Sequence, residues 1–164
     1  MDAVDRAQNA RPTSAHTHYR GSLTACLNIE GTEPQRLSFM NDGQHVTLTR
    51  KIVGCGIEVH KHLGPGLLES VYESALCIEL DARGLPFKRQ LGVPLFYKGH
   101  LLSEHRPDLI VDNAAVLEIK SVTRIDPIHV AQMLTYLRVT KLRVGLVLNF
   151  NSVVLKDGIQ RVAR

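Results

Sequence analysis

Tryptophan is absent from this 164-residue chain, and aromatic residues make up only 5% of it. The few aromatics do not interleave with the basic residues, so no stacking platform for single strands is expected. No run reaches the roughly 18 apolar residues of a membrane span, which excludes a transmembrane helix. The N-terminus lacks a basic segment followed by an apolar stretch, so no secretory signal is expected and the cytoplasm is the default location. Cys26, Cys55 and Cys77 are an odd, scattered set without a CxxC pair, which argues against a zinc knuckle or a disulfide framework. Cys55 and Cys77 fall in helical patterns, where a free cysteine acts as a small buried hydrophobe.

What is present is the composition of an ordinary globular domain, 44% apolar and 22% charged, in a chain long enough for one core. The net charge of +4 is uneven: residues 1–45 carry four basic and five acidic side chains, and the remainder is correspondingly basic. That permits a polyanionic partner without requiring one. Residues 1–45 show no sustained periodicity and are broken by Pro12 and Pro34, so they are expected to form a poorly ordered extension. Met40 stands just before the first strong pattern and is a candidate translation start; a peptide from residues 1–39 in the endogenous protein would exclude it.

Residues 46–164 are expected to form a single α/β domain. Ile52, Val53, Gly56, Ile57 and His60 recur at helical spacing over 47–62, and Gly64-Pro65-Gly66 stops the helix. A second helix is expected over 67–83, with Gly84 as its end. Strands follow at 87–97, weakened near Pro94, at 101–111 and at 115–122. Asp126-Pro127 opens a third helix to about 139. A continuous apolar strand, suited to a central or edge-adjacent place in a sheet, covers 143–150, with a short strand at 152–155 before a polar C-terminus. The order predicts a mixed sheet flanked by helices.

The chemistry concentrates in a hairpin expected over 104–121. With a loop at Asp112-Asn113-Ala114, Ile110 faces Val116, Asp108 faces Glu118 and Arg106 faces Lys120. Alternation then gathers Leu109, Val111, Leu117 and Ile119 on the opposite, apolar face. Two carboxylates across a ladder sit about 5 Å apart and repel. A divalent cation such as Mg²⁺, with Mn²⁺ as a substitute, removes that conflict by taking oxygen ligands from Asp108, Glu118 and the Ile119 carbonyl. Lys120 projects from the same face, able to polarise a water or offset charge developing on a phosphate. A lone Glu-x-Lys on a strand is usually an inert surface pair; the facing Asp108 makes the difference.

Pro107-Asp108 followed by Glu118-Ile119-Lys120 resembles the signature of PD-(D/E)XK nucleases. Gly66-Leu67-Leu68-Glu69-Ser70-Val71-Tyr72 is similar to the motif that names the GxxExxY family, a branch of that superfamily. Gln132 and Tyr136 are similar to the Q-x-x-x-Y element of RecB-type exonuclease domains. The resemblance covers about residues 46–164 and implies a restriction-endonuclease-like fold. By it, Asp108 and Glu118 are metal ligands, Lys120 is the catalytic lysine, Glu69 is a helix-borne acid approaching the same metal, and Gln132 and Tyr136 position substrate or support the site. From the residues alone, Glu69 is equally an acid placed favourably in a first helical turn, Tyr72 is a core or supporting residue, and His129 is a solvated helix residue.

Other signals carry less. Gly54-Cys55-Gly56 lacks a preceding strand and a third glycine, so no dinucleotide site is expected. His60-x-His62 has no partners to complete a tetrahedral metal set and suits a surface helix end; His16-x-His18 lies in the extension. The expected function is metal-dependent hydrolysis of phosphodiesters in nucleic acid, DNA before RNA. The alternatives are a nuclease fold serving as a weakly active or inactive binding module, and a hydrolase of small nucleotides.

Overall fold

The structure of the protein, a computed structural model, describes residues 42–164. Expectations for residues 1–41, among them most of the irregular extension, the Met40 start, Cys26 and the His16/His18 pair, lie outside the described residues.

Helix α1 spans Asp42–Leu63. It starts before the expected residue 47 because His45 extends the buried stripe of Leu48, Ile52, Cys55 and Val59 by one more turn. Residues 42–45 are therefore helical and not part of an irregular extension. Gly64, at φ +66, ends the helix. Helix α2 spans Glu69–Ala82 and buries Tyr72, Leu76 and Leu80 completely, at four-residue spacing. It closes as Gly84 predicts: Gly84 takes φ +63, and the Leu85 N–H bonds back to the Leu80 carbonyl at 2.9 Å.

Two expected strands are each divided. Residues 87–97 form β1 (Phe87–Arg89) and β2 (Val93–Tyr97), separated at Gln90, whose φ is +49, and not at Pro94. Pro94 stays within β2, next to a bulge between Leu95 and Phe96. Residues 101–111 divide at Arg106-Pro107-Asp108 into β3 (His100–His105) and β4 (Leu109–Val111). Pro107 has no N–H to offer a ladder, which suits a change of sheet at this point. β2 and β3 pair as a separate ribbon, while β1 and β4 join the main sheet. Arg106 consequently belongs to no strand and does not face Lys120; it is exposed and pairs with Glu104 at 2.6 Å.

β4 pairs antiparallel with β5 (Ala115–Lys120) in the expected register, Leu109 with Leu117 and Ile110 with Val116. Asp112 and Asn113 turn the chain with φ of 54 and 46. Helix α3 spans Pro127–Thr140, and β6 (Val144–Asn149) returns parallel to β5. The expected strand at 152–155 is absent: the chain turns there and forms a single 3-10 turn at Leu155–Gly158. Strand β7 (Ile159–Ala163) occupies what looked like a polar tail. It is an edge strand, antiparallel to β6, with Val162 buried and Gln160 and Arg161 exposed, so its composition resembles solvent-facing chain.

The main sheet has the order β1-β4-β5-β6-β7 and is mixed. On one face Leu109, Val111, Leu117, Ile119, Leu146 and Leu148 pack with α1 and α2. On the other, Ile110, Val116, Val147 and Val162 pack with Met133, Tyr136 and Leu137 of α3. Among the described residues no helix is long and apolar enough to cross a membrane.

Candidate active site

The alternation of β5 that buries Leu117 and Ile119 under α1 and α2 sends Val116, Glu118 and Lys120 to the opposite, α3 side. Val116 is covered by α3, and Glu118 lies beyond it toward the strand end. Asp108, one residue before β4, continues the register to the position facing Glu118. Where the ladder stops, the Asp108 carboxylate replaces a strand carbonyl: its Oδ2 accepts the Ile119 N–H at 2.7 Å. Its Oδ1 accepts from Gln90 Nε2 at 3.1 Å.

Glu118 is only 4% exposed. Its Oε1 accepts from Lys120 Nζ at 3.0 Å, while its buried Oε2 has no hydrogen-bond partner. Burial, then the Asp108 charge, push the Glu118 carboxyl up to about 7, and Lys120, with a weaker contribution from the Asp108 backbone N–H, offsets this only in part. Asp108 is also raised, chiefly by burial, against the lowering effect of its bonds from Ile119 and Gln90. Burial pulls the Lys120 ammonium down, but the neighbouring Glu118, with Glu69 and Asp108, more than offsets it, and Lys120 stays above the ordinary lysine value. That rise requires the Glu118 carboxylate to be ionised.

Tyr136 reaches this centre from α3. It is 4% exposed, its hydroxyl accepts from Gln132 Nε2 at 2.9 Å, and its phenol is raised by burial and then by Glu118. Gln132 itself is exposed. His105 of the ribbon meets the Tyr136 ring edge-on, 6.1 Å between centroids. Glu69 approaches from the other side: its Oε1 accepts the Ser121 N–H at 2.9 Å, at the end of β5, and its charge acts on Lys120. Among the described residues, no three His, Cys, Asp or Glu side chains come close enough together to hold a metal ion. Glu69 therefore flanks the Asp108/Glu118 pair without joining it here. A cation of the Mg²⁺ type needs only one or two protein carboxylates, and the partnerless Glu118 Oε2 beside Asp108 fits such a group.

Tyr72 lies in the core beneath the loop that precedes Glu69. It stacks on Phe150 at 4.4 Å, donates to the Gly64 carbonyl at 2.6 Å and accepts the Leu67 N–H at 3.0 Å. It thereby ties down the loop that delivers Glu69. His129 is not simply solvated, since its Nδ1 accepts the Asp126 N–H at 3.1 Å and caps α3. His60, expected on a surface helix end, is half-buried and bonds the Ser152 carbonyl at 2.8 Å, whereas His62 is exposed.

Three participants escaped the sequence. Glu73 is 7% exposed and pairs with Arg89 Nε at 2.5 Å. Gln90 joins Glu73 to Asp108. Asn149 is buried and clamps the strand exit, accepting the Val122 N–H at 3.0 Å and donating to the Val122 carbonyl at 2.8 Å. Glu73 follows Glu69 by four residues and so shares its helical face, a signal that was available; Gln90 and Asn149 offered none.

A family model, that of the PD-(D/E)XK nuclease superfamily, matches residues 46–162. The chain belongs to the PD-(D/E)XK nuclease superfamily. Its α/β architecture, a mixed five-stranded sheet between helices, is the restriction-endonuclease-like fold. Membership supports a nuclease-like function with nucleic acid as substrate, in a superfamily that generally uses divalent metal ions. No curated protein and no solved structure gave a match.

Proposed function

We propose that this chain is a Mg²⁺-dependent nuclease, with Mn²⁺ as a substitute, that hydrolyses phosphodiester bonds in DNA, or less readily in RNA. The observation that carries this is the buried Glu118 Oε2, without a partner and opposite Asp108. A carboxylate pair with one buried member and a single lysine between them is costly to an apoprotein and useful to a cation site. Asp108, Glu118 and the Ile119 carbonyl would hold the metal, with Glu69 beside them; once bound, it would supply Lewis-acid polarisation of a phosphoryl oxygen. Lys120, held at 3.0 Å by Glu118, would place its ammonium against the phosphate and offset developing negative charge. Tyr136 and Gln132 would line the approach from α3. The run from Gly66 to Tyr72 supports membership of the GxxExxY branch, with Tyr72 securing the loop behind Glu69. We place the activity in the cytoplasm.

A second proposal, a nuclease-fold binding module of little or no activity, is favoured by one observation: Glu69 is engaged by Ser121 and not gathered with Asp108 and Glu118. One experiment separates the two. The purified chain with Mg²⁺ or Mn²⁺ should nick plasmid or trim oligonucleotides, in single- and double-stranded form, and Asp108→Ala combined with Glu118→Ala should abolish cleavage. Cleavage that survives in the double variant removes the site assignment. A wild-type chain that neither cleaves nor binds Mn²⁺ at millimolar concentration favours the module.

A further inference from the structure

Gln90 stands where the chain leaves the main sheet, and Asp108 where it comes back. Between them lies the whole excursion of β2 and β3. Gln90 grips Asp108 twice across this gap: its N–H donates to the Asp108 carbonyl at 2.9 Å, and its side-chain amide donates to Asp108 Oδ1 at 3.1 Å. The same amide nitrogen donates to Glu73 Oε2, also at 3.1 Å. Glu73 is in turn held by Arg89 through its other oxygen, and by little solvent.

The chemistry fixes the direction of this bridge. A primary amide nitrogen carries two N–H donors, and each here meets a carboxylate, a group that only accepts when ionised. Turning the amide over would set its carbonyl oxygen against both carboxylates and lose both bonds. The backbone requires the same residue to adopt φ +49, uncommon for anything but glycine, so the side chain is presented from a constrained point. A neutral double donor also lets a buried acid, Glu73, and a half-buried one, Asp108, lie on either side of one group without a charge between them. Leucine would fill the space but satisfy neither acid, and asparagine is one methylene too short to reach both.

We propose that Gln90 is a positioning residue for Asp108, oriented by the Glu73–Arg89 ion pair and acting at the base of the β2–β3 ribbon. It sets the carboxylate so that Oδ2 meets the Ile119 N–H and the acid faces Glu118. The consequence for metal binding rests on the function proposed above; the consequence for Asp108 geometry does not.

The test uses the full chain with Gln90→Leu, and with Gln90→Asn as the milder variant should the first fail to fold. Two readouts are taken beside the thermal midpoint. One is the hydrogen-exchange protection of the Ile119 amide in metal-free protein, which reports on the Asp108 Oδ2 bond directly. The other is Mn²⁺ affinity by calorimetry. Ile119 protection should fall about tenfold or more relative to its β5 neighbours, and Mn²⁺ affinity by about 10–100-fold, the usual effect of removing an outer hydrogen bond from a ligand. A merely structural residue would lower the midpoint and protection throughout the sheet together, leaving the ratio of Ile119 to Leu117 unchanged; that result overturns the proposal. If wild type binds no Mn²⁺ and Ile119 still loses protection selectively, the function fails and the positioning role stands.

Discussion

The two faces of the main sheet are built from the same strands and differ in what they tolerate. Toward α1 and α2, β5 contributes Ala115, Leu117 and Ile119, all at most 1% exposed, and the layer is closed by the stacked pair Tyr72 and Phe150. Toward α3, the same strand contributes Val116, then Glu118 and Lys120, so an apolar layer runs into an ion pair and a carboxylate oxygen without a partner. One face is a source of stability and the other is strained by its charges. The difference teaches that a strand's alternation can place a dry core and a charged cluster only one residue apart, because neighbouring side chains point in opposite directions.

The largest effect should come from breaking the dry face. Tyr72→Ala removes a completely buried ring and the bonds to Gly64 and Leu67, and is expected to cost about 3–5 kcal/mol in denaturant unfolding. Tyr72→Phe, which keeps the ring, should cost nearer ~1–2 kcal/mol. Equal losses in the two variants would show that packing on Phe150 contributes little.

The charged face should behave in the opposite sense. The folded-state pKa of Glu118 lies near 7, above its ordinary 4.5. Between those values the folded chain keeps a proton that the unfolded chain has released, so metal-free stability falls as pH rises through that window. Asp108 is raised as well and adds to the fall in the same direction. Glu118→Gln should therefore be more stable than wild type above pH 7, by on the order of 1–3 kcal/mol, with the gain fading toward pH 4.5. Denaturation curves across pH in the presence of a chelator check this; a variant less stable than wild type at pH 8 would contradict it.

A smaller effect sharpens the comparison within the α3 layer. Gly145 in β6 leaves room for the Met133 side chain, and a Cβ there would run into the Met133 sulfur. Met133 is completely buried, and its Cγ as well as its sulfur would have to move, so Gly145→Ala should cost about 1–2 kcal/mol. A loss as large as that of Tyr72→Ala would mean that α3 cannot shift on the sheet.

Much of this molecule was legible in its sequence. The α1 and α2 stripes, the Gly84 stop and the Asp126-Pro127 start follow from local preferences. The β4–β5 register follows from alternation about Asp112-Asn113. These features depend on residues close in sequence, for which periodicity, helix caps and turns are sufficient physics. The division of 87–97 and 101–111 between two sheets was not legible, since each run pairs with partners selected by the whole topology. Nor was β7, because an edge strand with two inward side chains has no apolar pattern to set it apart from a tail.

The same boundary runs through the candidate site. Asp108, Glu118 and Lys120 share a face by strand alternation alone, and that much belonged to the sequence. Only the tertiary structure decided that Glu118 is buried with an oxygen lacking a partner, that Glu69 meets Ser121 instead of the carboxylate pair, and that Gln90 and Glu73 stand behind Asp108. Those relations join α2, the foot of the ribbon and β5, segments whose separation in the chain leaves no local pattern. Burial and electrostatics act through space, and the distances that govern them exist only once the sheet is closed between its helices.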